Sequence, residues 1–234
     1  MEEDPYNQIL LSESFRWVPV PENSDDELNF SDPENLKMSE DIFEGNRREG
    51  WVFPKLLCDE AKECLSKKNA GGNSDVSEAA SIQYFYELGY RNFVHEMEVL
   101  YKSTSYKLVD FVAEAPQIYE SNFPEIIKND REKVGVSVTR AADFGRGFNP
   151  TALLYKKIKG LIGARNNATS TSKFYRSILH IWCFSSEIMD ALNTSYRLLS
   201  EDSDLFQSPD LKGTFKVITT VCSDPRLYKN IKPF

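Results

Sequence analysis

The chain has 234 residues, is 41% hydrophobic and 12% aromatic, and carries a formal net charge of −8. That is enough apolar material for one cored domain with or without a tail, and no run approaches the about 18 consecutive apolar residues of a membrane helix. The acidic start MEEDPYNQ has no basic stretch followed by an apolar one, so neither a secretory signal nor a transit peptide is expected, and the location is read as cytoplasm or nucleus.

The charge is unevenly spread. Residues 1–75 hold 18 acids and 8 bases, whereas Arg131–His180 holds ten bases against Glu132 and Asp143. An acidic arm and a basic segment in one chain suit an acidic partner, a nucleic acid or each other. Four cysteines, Cys58, Cys64, Cys183 and Cys222, form no C-x-x-C pair and are expected to be free thiols.

Residues 1–53 read as an acidic, largely disordered arm, because Glu22–Glu49 is rich in Asp, Glu, Ser, Asn and Pro and has no apolar period. Two apolar islands interrupt it. Leu10, Leu11, Phe15 and Trp17 lie in one, and Ile42, Phe43, Trp51 and Phe53 in the other. They are candidate docking residues, for this protein's own body or for a partner. Ser24 and Ser31 each precede acids in the manner of acid-directed kinase sites, which suggests a phosphoprotein.

Residues 54–234 read as a helical domain. Pro54–Lys67 predicts a short helix with Leu57, Ala61, Cys64 and Leu65 on one face. Asp75 and Glu78 have capping-box spacing and open a predicted helix to Lys102, followed by helices over Ser105–Ala115 and from Phe123 to Lys133. Val134, Val136 and Val138 alternate as a strand would, but no partner strand is evident, so the stretch is read as an extended linker. Asn149-Pro150 starts a helix with Leu154, Ile158, Leu161 and Ile162 inward and Gly163 at its end.

Ser172–Ser200 contains neither Gly nor Pro and repeats apolar residues at steps of three and four, which predicts the long central helix. A last helix from Ser208-Pro209 would carry Leu211, Phe215, Ile218 and Cys222 on one face, although the β-branched run Val217–Val221 also permits a strand. The expected fold is therefore mainly α, a bundle-like packing of about six helices.

Catalytic signatures are few. His180 and Cys183, three apart on the predicted helix, could be adjacent ligands, but their apolar surroundings favour a core histidine beside a buried thiol. His95-Glu96-Met97-Glu98 lacks the second His of a zinc helix, Asp143-Phe144-Gly145 lacks the other kinase elements, and Gly145-Arg146-Gly147 is too short for a dinucleotide loop. No catalytic residue, metal or cofactor is expected. The candidate surface is the basic segment: Arg140, Arg146, Lys156, Lys157, Lys159, Arg165, Lys173 and Arg176, interleaved with Phe144, Phe148, Tyr155, Phe174 and Tyr175. By elimination the expected role is a non-catalytic adaptor or subunit of a protein complex. The alternative is RNA or DNA binding through residues 131–176, and no membrane partner is expected.

Overall fold

The computed structural model describes residues 43–46, 57–67, 74–103, 108–116, 133–143, 147–202, 205, 215–229 and 232. The islands at Leu10, Leu11, Phe15, Trp17, Trp51 and Phe53, together with Phe144, Arg146 and the start of the helix predicted from Phe123, lie outside these residues.

The fold is α/β, not an all-α bundle. Five strands form the body of a mixed sheet: β2 (Arg91–His95), β3 (Phe111–Glu114), β4 (Lys133–Ala141), β5 (Arg176–Cys183) and β6 (Phe215–Val221). The short β1 (Phe43–Asn46) adds parallel to β6, giving the order β1-β6-β5-β4-β3-β2. Strands β4, β5 and β6 are parallel, while β3 and β2 continue the sheet antiparallel.

The described helices are α1 (Asp59–Ser66), α2 (Asp75–Glu87), α3 (Pro150–Asn167), α4 (Ser186–Asp202) and α5 (Pro225–Lys229). Helices α3 and α4 make the β4-α3-β5-α4-β6 crossovers that parallel strands require. No described helix is long and apolar enough to cross a membrane.

Two cores flank the sheet. On one face Val134, Val136, Val138, Ile178, Trp182 and Ile218 pack with α1, α2 and Leu227 of α5. On the other, Leu179, Ile181, Cys183, Val217 and Val221 pack with Leu154, Ile158 and Leu161 of α3 and with Met189, Leu192 and Tyr196 of α4. A parallel strand covered on both faces must be apolar at nearly every position. That requirement explains the largest correction.

The predicted central helix is two elements. The run Ile178–Phe184 is strand β5 apart from its last residue, the chain turns at Phe184-Ser185, and only then does α4 begin. Continuous apolar character fits a doubly covered strand as well as a buried helix, and the β-branched and aromatic content decides for the strand.

The other corrections follow from it. Val134–Val138 belongs to a nine-residue strand whose partners, β3 and β5, both lie in stretches whose spacing predicts helix. The helix predicted to reach Lys102 stops at Glu87, because Gly89 takes φ +89 and Tyr90 N–H returns to Phe85 O at 3.0 Å. The helix predicted over Ser105–Ala115 gives way to β3, and Phe215–Val221 is strand β6.

Two expectations hold in part: Leu57, Ala61, Cys64 and Leu65 are buried, although α1 begins only at Asp59 and leaves Leu57 outside the helix, and Asn149 caps α3 by accepting from Ala152 N–H at 2.9 Å. Helix α3, however, runs past Gly163 to Asn167. At Gly135, on the central strand, a Cβ would overlap the Phe174 ring, so this position holds only glycine.

Candidate functional site

Strand β3 stops short of the end of β4. Its last pair in that direction is Phe111 with Val136, whereas β4 continues to Ala141. The exposed backbone edge of β4 must find other partners. Asp110 N–H reaches Val136 O at 2.9 Å, the Asp110 carboxylate accepts Val138 N–H at 2.5 Å, and Lys157 Nζ donates to Val138 O at 3.0 Å. Side chains thus replace a strand at this edge. The notch lies where the antiparallel and parallel parts of the sheet meet, on the carboxyl-terminal half of β4, a position at which open α/β sheets bind ligands.

Helices on both faces converge here. Glu78, in the first turn of α2, hydrogen-bonds the Asp110 side chain, as does Ser137 of β4. Lys157 comes from α3 on the opposite face. The amino end of α2 favours a carboxylate in its first turn, and Ser74 Oγ also donates to Glu78. Glu96 completes the group. Its N–H bonds Asp110 O at 3.0 Å, and its carboxyl is close enough to feel both Asp110 and Lys157. Tyr101 Oη accepts Val109 N–H at 3.0 Å and so fixes the approach to Asp110.

The electrostatics are those of a strained carboxyl group. Burial pushes Asp110 above the ordinary carboxylate range, against the pull of Lys157, Val138 N–H, Ser137 and Glu78. Burial and the Asp110 charge push Glu96 up, with Lys157 opposing. Tyr101 is pushed up to about 12, chiefly by burial. Asp110, Glu96 and Lys157 nevertheless remain only half-buried. Among the described residues no group of three or more His, Cys, Asp and Glu is placed to enclose a metal ion unaided.

The residues singled out from the sequence are placed differently. The described part of the basic segment is spread along α3 and the start of β5. Lys156, Lys157 and Lys159 lie around the middle of α3, whereas Arg165, Lys173 and Arg176 lie near its far end and the start of β5. Arg140 is turned to α5, donating to Leu227 O at 2.9 Å and Tyr228 O at 3.2 Å. Of the interleaved rings Phe174 is core and Phe148 is half-buried, but Tyr155 and Tyr175 are exposed.

His180 and Cys183 do not adjoin. Three residues apart on a strand means opposite faces, and they belong to opposite cores. His180 is fully buried, with Nδ1 2.9 Å from Ser81 Oγ and Nε2 3.0 Å from Thr220 Oγ1. Burial lowers it to about 3 and raises the Cys183 thiol to about 12.

Sequence pattern does not single out Asp110, presents Glu96 only within the incomplete zinc-helix pattern, and presents Glu78 only as a helix cap. The available signal was a lone acid inside the apolar run Leu108–Val112, where a carboxylate must have a reason to be. Comparison with known proteins leaves this geometry to stand by itself: no family model matches the chain, and no curated protein or solved structure matches it significantly.

Proposed function

We propose that the notch on β4 is an active site for hydrolysis of a phosphate ester, with Asp110 and Glu78 holding a divalent cation and Lys157 countering charge on the phosphate. The observation that carries this reading is one juxtaposition. A half-buried Asp110 carboxyl hydrogen-bonded to a buried Glu78, and a lysine from the opposite face of the sheet, meet at an edge that no described strand covers.

A purely structural role is the poorer account, because buried ionic groups rarely stabilise more than apolar ones of the same volume. The mixture of signs points to the substrate class. Carboxylates alone repel an anion, and lysine alone needs no carboxylates. Mg²⁺ is commonly held by one or two carboxylates, with substrate phosphates and waters completing its shell. The amino end of α3, with Lys156 and Lys157 and no acid in its first turn, supplies anion affinity beside the same strand end. In the reaction a water oxygen bonds to phosphorus as the ester P–O bond breaks. The water's proton passes to a carboxylate, Glu96 being the half-buried one at hand, and the leaving oxygen is protonated from solvent or the same acid.

The test is Mg²⁺- or Mn²⁺-dependent cleavage of a phosphodiester such as bis-p-nitrophenyl phosphate and of labelled oligonucleotides by the purified chain. Asp110→Asn and Lys157→Ala should each lower the rate by about 10²-fold or more, the scale of losing one preorganised electrostatic contact. Absence of both Mn²⁺ binding and cleavage in the parent protein would overturn the proposal.

A second reading, the adaptor, rests on Met97 and Leu100, which are 67% and 57% exposed three residues apart. It requires a stoichiometric protein partner that survives high salt and is lost on Met97→Asp.

A further inference from the structure

Helix α3 is one-sided in charge. It carries Lys156, Lys157, Lys159 and Arg165 and no acid over its 18 residues. A helix face that merely faces water ordinarily mixes signs, because opposite charges at i,i+4 stabilise it and like charges do not. The core-facing stripe Leu154, Ile158, Leu161 and Ala164 leaves Tyr155, Lys156 and Lys159 outside, and all three are exposed.

Tyr155 is 42% exposed, and Lys159 Nζ lies 5.9 Å from the ring centroid. The motif recurs at the far end of the helix, where Lys173 Nζ stands 4.7 Å from the centroid of Tyr175, itself 58% exposed, and Arg165 donates to Tyr175 O at 3.3 Å. Exposed rings each beside an ammonium group are the elements of a stacking platform: the ring takes a base, and the cation takes the neighbouring phosphate. A double helix hides its base faces and has no use for exposed rings, whereas a single strand offers one face per nucleotide.

We infer that the exposed face of α3 around Tyr155, Lys156 and Lys159 binds single-stranded nucleic acid, with a base stacked on Tyr155 and the neighbouring phosphates on Lys156 and Lys159. This names the substrate of the proposed phosphate-ester site and rests on that reading for its catalytic consequence, but binding is measured separately from cleavage. The residues 155–159 span about 6 Å along the helix axis, one nucleotide step, so Tyr175, beside Arg165 near the far end of the helix, belongs to a second contact.

The experiment is fluorescence anisotropy of labelled single-stranded DNA and RNA 12-mers and of a 12-base-pair duplex with the full chain in EDTA, between 50 and 200 mM salt. The parent is expected to prefer the single strands. Tyr155→Ala should weaken single-strand binding by about 5- to 150-fold, the range for losing one stacked base. Lys156→Gln with Lys159→Gln should lower the slope of log affinity against log salt by about 1.4. Because these side chains are exposed, circular dichroism of each variant should match the parent. No oligonucleotide binding at 50 mM salt overturns the inference, as does duplex binding equal to single-strand binding with no effect of Tyr155→Ala. Binding without cleavage would leave this inference standing and remove the hydrolytic reading. Cleavage of bis-p-nitrophenyl phosphate without oligonucleotide binding would do the reverse.

Discussion

Two polar clusters touch α2, and they differ in the way that separates architecture from chemistry. Around His180, every group that can be paired is paired. Its ring nitrogens meet Ser81 and Thr220, and Trp182 Nε1 donates to Ser81 Oγ at 2.9 Å and to Ser77 O at 3.2 Å. The ring is kept neutral and packs against Tyr84, Phe85 and Trp182 with centroids 4.7–5.5 Å apart. One turn away on the same helix, the buried Glu78 joins Asp110 and Lys157, which are only half-buried, at a strand edge that no described strand covers. The first cluster is a satisfied network that fixes how α2 seats on the sheet. The second keeps a carboxyl group in an unfavourable state, the usual mark of a site maintained for function.

The sharpest way to break the comparison is to attack the satisfied cluster. Trp182→Ala removes a side chain with no exposed surface and should cost about 3–5 kcal/mol in denaturant unfolding. Next comes Ser81→Ala, which deprives both His180 Nδ1 and Trp182 Nε1 of a partner and should cost about 1–3 kcal/mol. Neither variant should alter the metal dependence of any hydrolysis that remains.

At the second cluster the expectation reverses. Lys157→Met should change stability by no more than about 1 kcal/mol, because Asp110 can take up a proton when its counter-charge is gone. A loss of 3 kcal/mol or more there would mark the cluster as a structural ion pair instead. Smallest of all should be the reactivity of Cys183. Its buried thiol, raised to about 12, should label with a thiol reagent only as fast as the protein opens.

The sequence is most legible where local chemistry acts alone. Asn149-Pro150 opens α3 and Leu57–Leu65 packs α1 as their patterns foretell, because caps and amphipathic faces are written within a few residues. The sheet is hidden for the opposite reason. β4, β5 and β6 are covered on both faces and so lose the alternation that distinguishes a strand from a helix, and their partners lie tens of residues away. The expected arm-docking islands fall outside the described residues, apart from Phe43, whose backbone enters β1. The candidate site was illegible because Glu78, Asp110 and Lys157 are 32 and 47 positions apart, and only the strand pairing brings them together.

The two clusters should also titrate with opposite sign. His180 in the folded protein lies far below its unfolded value of about 6.5. Its neutral burial therefore contributes stability that is intact above about pH 6.5 and is progressively lost as the pH falls toward 3. Asp110 is displaced upward from its unfolded value of about 3.9, so the folded state holds a proton that the unfolded chain has given up. Its contribution is best at low pH and declines as the pH rises from about 3.9 through the raised folded value.

The pH dependence of stability in Asp110→Asn tests the central claim most directly. Asparagine can still accept Val138 N–H while carrying no charge. Denaturant unfolding of parent and variant between pH 4 and 8 should show the two nearly equal at the acid end. The variant should become more stable as the pH rises, by about 0.5–2 kcal/mol at neutrality, the scale on which relieving a functional group commonly stabilises. A variant that is less stable than the parent at pH 7, with the gap closing on acidification, would contradict the account and make Asp110 part of the scaffold.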